Sequence, residues 1–105
     1  MIIRPMTVEQ AAELIRQIGP GNIGAISGGR KRLVDGTLVL PVSNGYTVEV
    51  ALAANDTYVV RRIFTRGVKR WVKGEITDVY YDEVGERAYE ASCFRDAFTG
   101  AGGRA

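Results

Sequence analysis

The sequence predicts a two-layer α+β domain, in which an antiparallel β-meander of four to six strands is flanked by N- and C-terminal helices packed on one sheet face. Three observations predict it: helical spacing of apolar residues near the start, two-residue alternation through the middle, and helical spacing again near the end. The chain has 105 residues, which suits one domain, expected over residues 1–99, with a flexible tail at 100–105. Because 46% of the residues are hydrophobic, the composition excludes a disordered chain.

A first helix is predicted over residues 7–18. Thr7 and Gln10 have the spacing of a capping box, in which each side chain bonds a backbone N–H at the helix start. Apolar residues then recur at helical spacing: Val8, Ala11, Ala12, Ile15 and Ile18. Gly19 and Pro20 are typical of a helix end, since proline cannot continue a helix.

The middle of the chain predicts strands joined by tight turns. Asp35-Gly36 and Asn44-Gly45 favour hairpins because both residues of each pair accept a positive φ, and Asn55-Asp56 and Arg66-Gly67 mark two further turns. Connections this short join antiparallel neighbours. The strands are expected near 23–27, 31–34, 37–42, 45–53, 57–65 and 68–73. The first two are also compatible with one bent strand that has a bulge at Gly28-Gly29.

A second helix is predicted over residues 78–94. Its apolar stripe consists of Tyr81, Val84, Ala88 and Ala91. Gly85 lies inside it and lowers helix stability by about 1 kcal/mol relative to Ala, which suggests close packing against a strand.

The sequence contains no recognisable catalytic or cofactor-binding motif. It has no histidine and only one cysteine, Cys93, which excludes an intrachain disulfide and a zinc site of histidines and cysteines and leaves this thiol with no visible source of activation. Gly19-x-Gly21-x-x-Gly24 has the spacing of a dinucleotide fingerprint, but here a helix is expected to end and a strand to begin, which is the reverse of what that fingerprint needs. We therefore expect a non-enzymatic protein without cofactor or metal. A reduced cytosol is expected, and no apolar run is long enough for a membrane span.

The formal net charge of +2 conceals a strong segregation. Residues 30–73 contain nine basic and three acidic residues, a net charge of +6. Residues 75–96 contain seven acidic and two basic residues, a net charge of −5. The sequence thus predicts a basic sheet beside an acidic helix.

The basic residues suggest a nucleic-acid surface, because cations contact phosphates and an aromatic face stacks a base. In the last hairpin, Arg61 and Arg62 are expected on opposite faces, whereas alternation places Lys69, Trp71 and Lys73 on one face, with Phe64 nearby. Lysine-rich edge strands also occur simply to prevent aggregation, and Trp71 is equally compatible with a core position. The candidate nucleic-acid-binding residues are Arg30, Lys31, Arg32, Arg61, Arg66, Lys69, Arg70, Trp71 and Lys73.

Most of the chain resembles a group of small phage and prophage proteins, of the kind found in actinobacteriophages, which have no established role. The similar segments are Ile18–Asn22, Ala25–Gly28, Tyr46–Leu52, Asp56–Val60 with Arg66-Gly67, and Asp78–Val84. The chain departs from the group in its Arg/Lys density over residues 61–73 and in its Cys93-Phe94-Arg95 ending. The resemblance implies a phage protein that acts in the cytoplasm of a bacterial host, and it implies no site residues.

Two functions are compatible with these observations. The first is a phage accessory protein that binds nucleic acid through the basic hairpin, for which Lys69→Glu or Arg70→Glu would weaken binding to every sequence. The alternative is a module that binds a host or phage protein through its basic sheet or its acidic helix. A homo-oligomer that pairs the basic face with the acidic helix is compatible with both.

Overall fold

A computed structural model describes residues 2–93 and 99–101 and confirms the α+β fold. The described residues form three helices and seven strands. In chain order they are β1 (Ile3–Arg4), α1 (Val8–Ile18), α2 (Pro20–Ser27), β2 (Arg32–Val34), β3 (Thr37–Pro41), β4 (Tyr46–Ala53), β5 (Tyr58–Arg66), β6 (Lys69–Val79), α3 (Val84–Ala91) and β7 (Thr99–Ala101).

The strands form one sheet in the order β2-β3-β4-β5-β6-β7. Strands β2 to β6 are the predicted antiparallel meander. The short β1 pairs with the last two residues of β4, beyond the segment of β4 that pairs with β3. Strand β7 pairs in parallel with β6, so Gly100 and Ala101, expected in a tail, belong to the sheet. The rest of that expected tail, residues 102–105, lies outside the described residues.

The N-terminal helix agrees with its prediction in its bounds and its cap, but its buried stripe differs, because Val8 and Ala12 are exposed and Leu14 is fully buried. Thr7 and Gln10 form both hydrogen bonds of the capping box, and Gly19 with φ 91° ends α1.

The next segment of the chain does not agree with its prediction. Pro20 then begins α2 at its first position, where a missing N–H costs nothing. The strand predicted over 23–27 is therefore wrong: Ile23 and Ile26, three residues apart, are buried on one face of a helix. The Gly19-x-Gly21-x-x-Gly24 segment does lie at the start of a helix. However, a helix and not a strand precedes it, whereas a dinucleotide fingerprint follows a strand.

The predicted hairpin turns are confirmed by their backbone angles. Asp35 and Gly36 have φ of 50° and 77°, and Asn44 and Gly45 have φ of 55° and 86°. Added at Gly45, a Cβ would lie 2.8 Å from the carbonyl oxygen of Thr65, so this turn packs closely against β5. At the last hairpin, Gly67 and Val68 form a two-residue loop between the paired Arg66 and Lys69.

The second helix begins later than predicted. Strand β6 continues to Val79, which pairs with Tyr58, and α3 covers only Val84–Ala91. Two irregularities in the pairing of β6 with β5 interrupt the alternation of inward and outward residues along β6. The end of β6 is therefore determined by its pairing with β5 and not by the spacing of its own apolar residues. Residue 94, expected to end this helix, lies outside the described residues.

The core lies between the helices and one sheet face, called the helix face here. It combines apolar residues of α1, α2 and α3 with those of β3 to β6 that point toward them, including Leu14, Ile26, Leu40, Val50 and Val84. The opposite face also has buried residues on its central strands: Val39, Ala51, Val59 and Ile63. Within the described residues, no helix is both long and apolar enough to cross a membrane.

Candidate nucleic-acid interface

The antiparallel order separates the charges between two ends of the sheet. The turns at Asp35, Asp56 and Asp78–Asp82 lie at one end, called the acidic end here. The other end, called the basic end here, contains the first residues of β2, β4 and β6 and the last residues of β3 and β5. The acidic helix α3 packs against this basic sheet, and in addition the charges of the turns separate from end to end along the sheet.

Three aromatic rings form a row across the helix face at the basic end. Tyr46 pairs with Phe64 and Phe64 with Trp71, so alternation places all three on one face. The ring centroids of Tyr46 and Phe64 are 4.9 Å apart, and those of Phe64 and Trp71 are 5.7 Å apart with planes at 28°. The sequence is compatible with either a surface or a core position for Trp71. In the structure this residue is 41% exposed. It is a supported ring at the surface and not a core residue.

Two exposed cations lie beside this row on the same face, between the row and the hairpin loop. Arg66 and Lys69 are directly opposite each other across the β5–β6 pair, and Lys69 is two residues from Trp71 on β6. Neither forms an ion pair with another described residue. Lys73 is exposed as well, but it has no partner in the pairing of β5 with β6. Gly74 pairs with Arg62 and Val72 with Ile63, so Lys73 is an extra residue between them. Regular alternation therefore does not place Lys73 on the face of Trp71. The predicted row Lys69-Trp71-Lys73 is thus confirmed only for its first two members.

Arg61 and Arg70 lie on the opposite face and are neutralised there. Glu49 pairs with Arg61, and Arg61 pairs with Glu75, which gives alternating charges across three strands. The Nε atom of Arg61 lies 2.6 Å from a carboxylate oxygen of Glu75, and Arg70 forms an ion pair with Glu49. These two arginines belong to the candidate set, but the structure separates them from Trp71 and gives each a carboxylate partner.

The third basic group precedes β2. Arg30 and Lys31 lie in the connection after α2, and both are exposed along with Arg32, the first residue of β2. The Nε atom of Arg30 donates a hydrogen bond of 3.1 Å to the carbonyl oxygen of Ser27, which fixes the stem of this side chain. Together with Gly29 and Pro41 the three cations line an open groove of about 640 Å³. Since four strand spacings of about 4.8 Å separate β2 from β6, this group lies roughly 20 Å from Lys69 along the same end of the sheet.

Arg62 has a structural role. It is 6% exposed on the helix face, and its guanidinium donates hydrogen bonds to the carbonyl oxygens of Ala91, at 2.7 Å, of Glu90, at 3.1 Å, and of Cys93. These carbonyl groups lie at the C-terminal end of α3 or just beyond it, where helix carbonyls lack partners one turn further along, and that of Glu90 also accepts a hydrogen bond from the backbone N–H of Cys93. Arg61 and Arg62 do point to opposite faces, as predicted.

The last turn of the acidic end and the α3 helix that follows it combine carboxylates with exposed aromatic residues. Asp82 and Glu86 are exposed, and so are Tyr80, Tyr81 and Tyr89. Glu83 differs from its acidic neighbours because it is buried and forms an ion pair with Arg87, with 3.1 Å between Oε1 and Nε. Hydrogen bonds to Glu90 and Glu83 raise the pKa of Arg87 above its ordinary value.

Among the described residues, no group of three or more potential ligands is placed to hold a metal ion. Comparisons with protein-family models, curated proteins and solved structures find no match for this chain. The basic end combines a supported aromatic ring with two groups of exposed cations. Sequence reasoning identified these cations and Trp71 but missed Tyr46, whose place in the aromatic row depends on the pairing of β4 with β5.

Proposed function

We propose that this protein is a non-enzymatic nucleic-acid-binding protein whose interface is the basic end of the sheet. The observation that carries the proposal is the exposed Trp71 ring, stacked on Phe64 and lying beside Arg66 and Lys69. Cations contact phosphates and an aromatic face accepts a base, so this combination matches the chemistry of a polynucleotide. The role of a phage accessory protein in a bacterial cytoplasm remains part of this proposal, supported by the resemblance alone.

The arrangement of the cations supports a polymer as the ligand. Arg30, Lys31 and Arg32 form one group, and Arg66 with Lys69 forms another, roughly 20 Å away across the same end of the sheet. A small anion contacts only one such group, whereas a polynucleotide backbone spans both. Acidic residues of the turns lie at the other end, so a polyanion encounters few repulsive charges here.

Fluorescence anisotropy with labelled single-stranded DNA, single-stranded RNA and duplex DNA tests the proposal. We expect binding to at least one probe with a Kd in the micromolar range or below, and an affinity that falls steeply as salt rises from about 0.05 to 0.2 M. Combining Lys31→Gln with Lys69→Gln removes one cation from each group and is expected to flatten the salt dependence. As a control for the position of the charge, Arg4→Gln removes one cation at the acidic end, where it is ion-paired with Asp56. Absence of binding to all probes at the lowest salt would refute the proposal.

A second candidate function is docking of a basic protein partner at the acidic end. The observation that favours it is the exposure of Tyr80 and Tyr81 beside Asp82 in the turn after β6, with Glu86 and Tyr89 exposed on the following helix, since tyrosine is enriched in protein interfaces. Reversal of Asp82 and Glu86 to lysine is expected to abolish copurification of such a partner. Glu83 is unsuitable for this test because it is buried and ion-paired with Arg87.

A further inference from the structure

We propose that the ligand is single-stranded nucleic acid and that one unstacked base lies against the Trp71 ring. This inference rests on the proposed function and specifies its substrate class. It is based on two features of the basic end: the support and exposure of the ring, and the position of the cations beside it.

The Trp71 ring is a fixed platform. Phe64 stacks against one side at 5.7 Å, and Tyr46 supports Phe64 at 4.9 Å, so the side chain is held by a row of rings that continues into the sheet. The ring is nevertheless 41% exposed. A base that stacks on this exposed, supported ring adds to the binding affinity.

A duplex does not provide such a base. Its base faces are already stacked on one another, and only base edges are presented in the grooves. Stacking on the Trp71 ring therefore needs a base that is not already stacked within a duplex.

The cations suit a flexible strand that crosses the end of the sheet. Lys69 lies two residues from Trp71 on the same face, and Arg66 lies opposite Lys69, so phosphates adjacent to a stacked base come within reach of both. The strand then continues toward the groove formed by Arg30, Lys31 and Arg32. A single strand adapts its path to these separated groups, whereas a rigid duplex does not.

Trp71 is the only tryptophan of the chain, so its fluorescence reports directly on the proposed contact. The test titrates the full chain with unlabelled single-stranded DNA, single-stranded RNA of the same sequence, and the matching DNA duplex, each about 16 nucleotides long, the upper limit of common site sizes. We expect quenching of Trp71 by one or both single strands and at least about tenfold weaker binding of the duplex. The DNA and RNA titrations determine which of the two binds more tightly.

Anisotropy of the same probes with three variants completes the test. Trp71→Ala is expected to weaken single-strand binding by about tenfold with little change for the duplex, and Trp71→Phe is expected to restore most of the loss. Tyr80→Ala, which removes an exposed aromatic residue at the acidic end, is the matched control and is expected to bind like the wild type.

The two proposals fail in different ways. Duplex binding as tight as single-strand binding, with unchanged Trp71 fluorescence, would refute base stacking while nucleic-acid binding stands. If neither fluorescence nor anisotropy changes with any probe at low salt, both proposals fall and the protein-docking function becomes the better explanation.

Discussion

The buried guanidinium of Arg62 donates a hydrogen bond of 2.7 Å from Nε to the carbonyl oxygen of Ala91, so that β5 holds the C-terminal end of α3. Replacement of Arg62 by Ala leaves the carbonyl groups of Ala91, Glu90 and Cys93 without this donor inside the protein. We expect Arg62→Ala to lower the free energy of unfolding by about 3 kcal/mol. Urea unfolding measures the change.

The control for this prediction is Arg66→Ala on the same strand and face. Arg66 is exposed and forms no ion pair with another described residue, so its loss is expected to change the free energy of unfolding by less than about 0.5 kcal/mol. Equal stability of both variants would contradict a structural role for Arg62.

A second prediction concerns the position where α3 crosses the corner between α1 and α2. A Cβ at Gly85 would lie 2.6 Å from the carbonyl oxygen of Ile18 and 2.8 Å from Nδ2 of Asn22, which itself donates a hydrogen bond to that oxygen. We expect Gly85→Ala to lower the free energy of unfolding by about 2 kcal/mol, because the helices must move apart. Thermal unfolding followed by circular dichroism measures it.

Gly24 in α2 provides the matched control, because nothing lies within 4 Å of a Cβ added there. Gly24→Ala is expected to raise the free energy of unfolding by up to about 1 kcal/mol, since Ala favours a helix. If Gly24→Ala destabilised the protein and Gly85→Ala did not, the close packing of α3 against the corner between α1 and α2 would be contradicted.

A third prediction concerns alkaline pH. Tyr58 is buried and donates a hydrogen bond of 2.8 Å to Oε1 of Gln17, and burial raises its pKa above the ordinary value of about 10. The unfolded chain therefore loses this proton first as pH rises. Stability is fully present below pH 10 and is expected to fall above it by at most about 1.4 kcal/mol per pH unit.

Denaturant unfolding at several pH values checks this expectation against Tyr58→Phe. The variant is expected to lose about 1 kcal/mol at neutral pH through the missing hydrogen bond, and to lose less stability than the wild type above pH 10. Tyr81→Phe, at an exposed tyrosine, serves as the control. An alkaline transition that is identical in the wild type and in Tyr58→Phe would exclude Tyr58 as its source.

The parts of the fold that local chemistry determines could be predicted. Thr7 and Gln10 define the start of α1 because a capping box is a local arrangement, and Asn44-Gly45 defines a turn because few other residue pairs accept two positive φ angles. Helix α2 was mistaken for a strand because Pro20–Ser27 has glycines and no charged residue to mark a polar face. The end of β6 depends on its pairing with Tyr58, 21 residues away in the chain.

The same distinction applies to the candidate site. Alternation correctly predicted that Arg61 and Arg62 face opposite sides. It failed for Lys73, because the irregular pairing at that residue cannot be recognised in the sequence. Arg70 of β6 forms an ion pair with Glu49 of β4. Because the two residues are far apart in the chain, the local sequence around Arg70 does not indicate this partner.

The neighbours Lys69 and Arg70 provide the last prediction, which rests on the proposed function. They point to opposite faces of β6: Lys69 lies on the face of Trp71 and Arg70 is ion-paired with Glu49. We expect Lys69→Gln to weaken binding several-fold at about 0.15 M salt and to reduce the slope of log K against log salt by about 1, as expected for one lost phosphate contact. Arg70→Gln changes the net charge by the same amount, but it is expected to leave the slope unchanged, because charges farther than about 8 Å are largely screened at this salt concentration. Anisotropy over a salt series compares the two variants, and equal slopes for both would place the phosphate contacts somewhere other than the helix face of the hairpin.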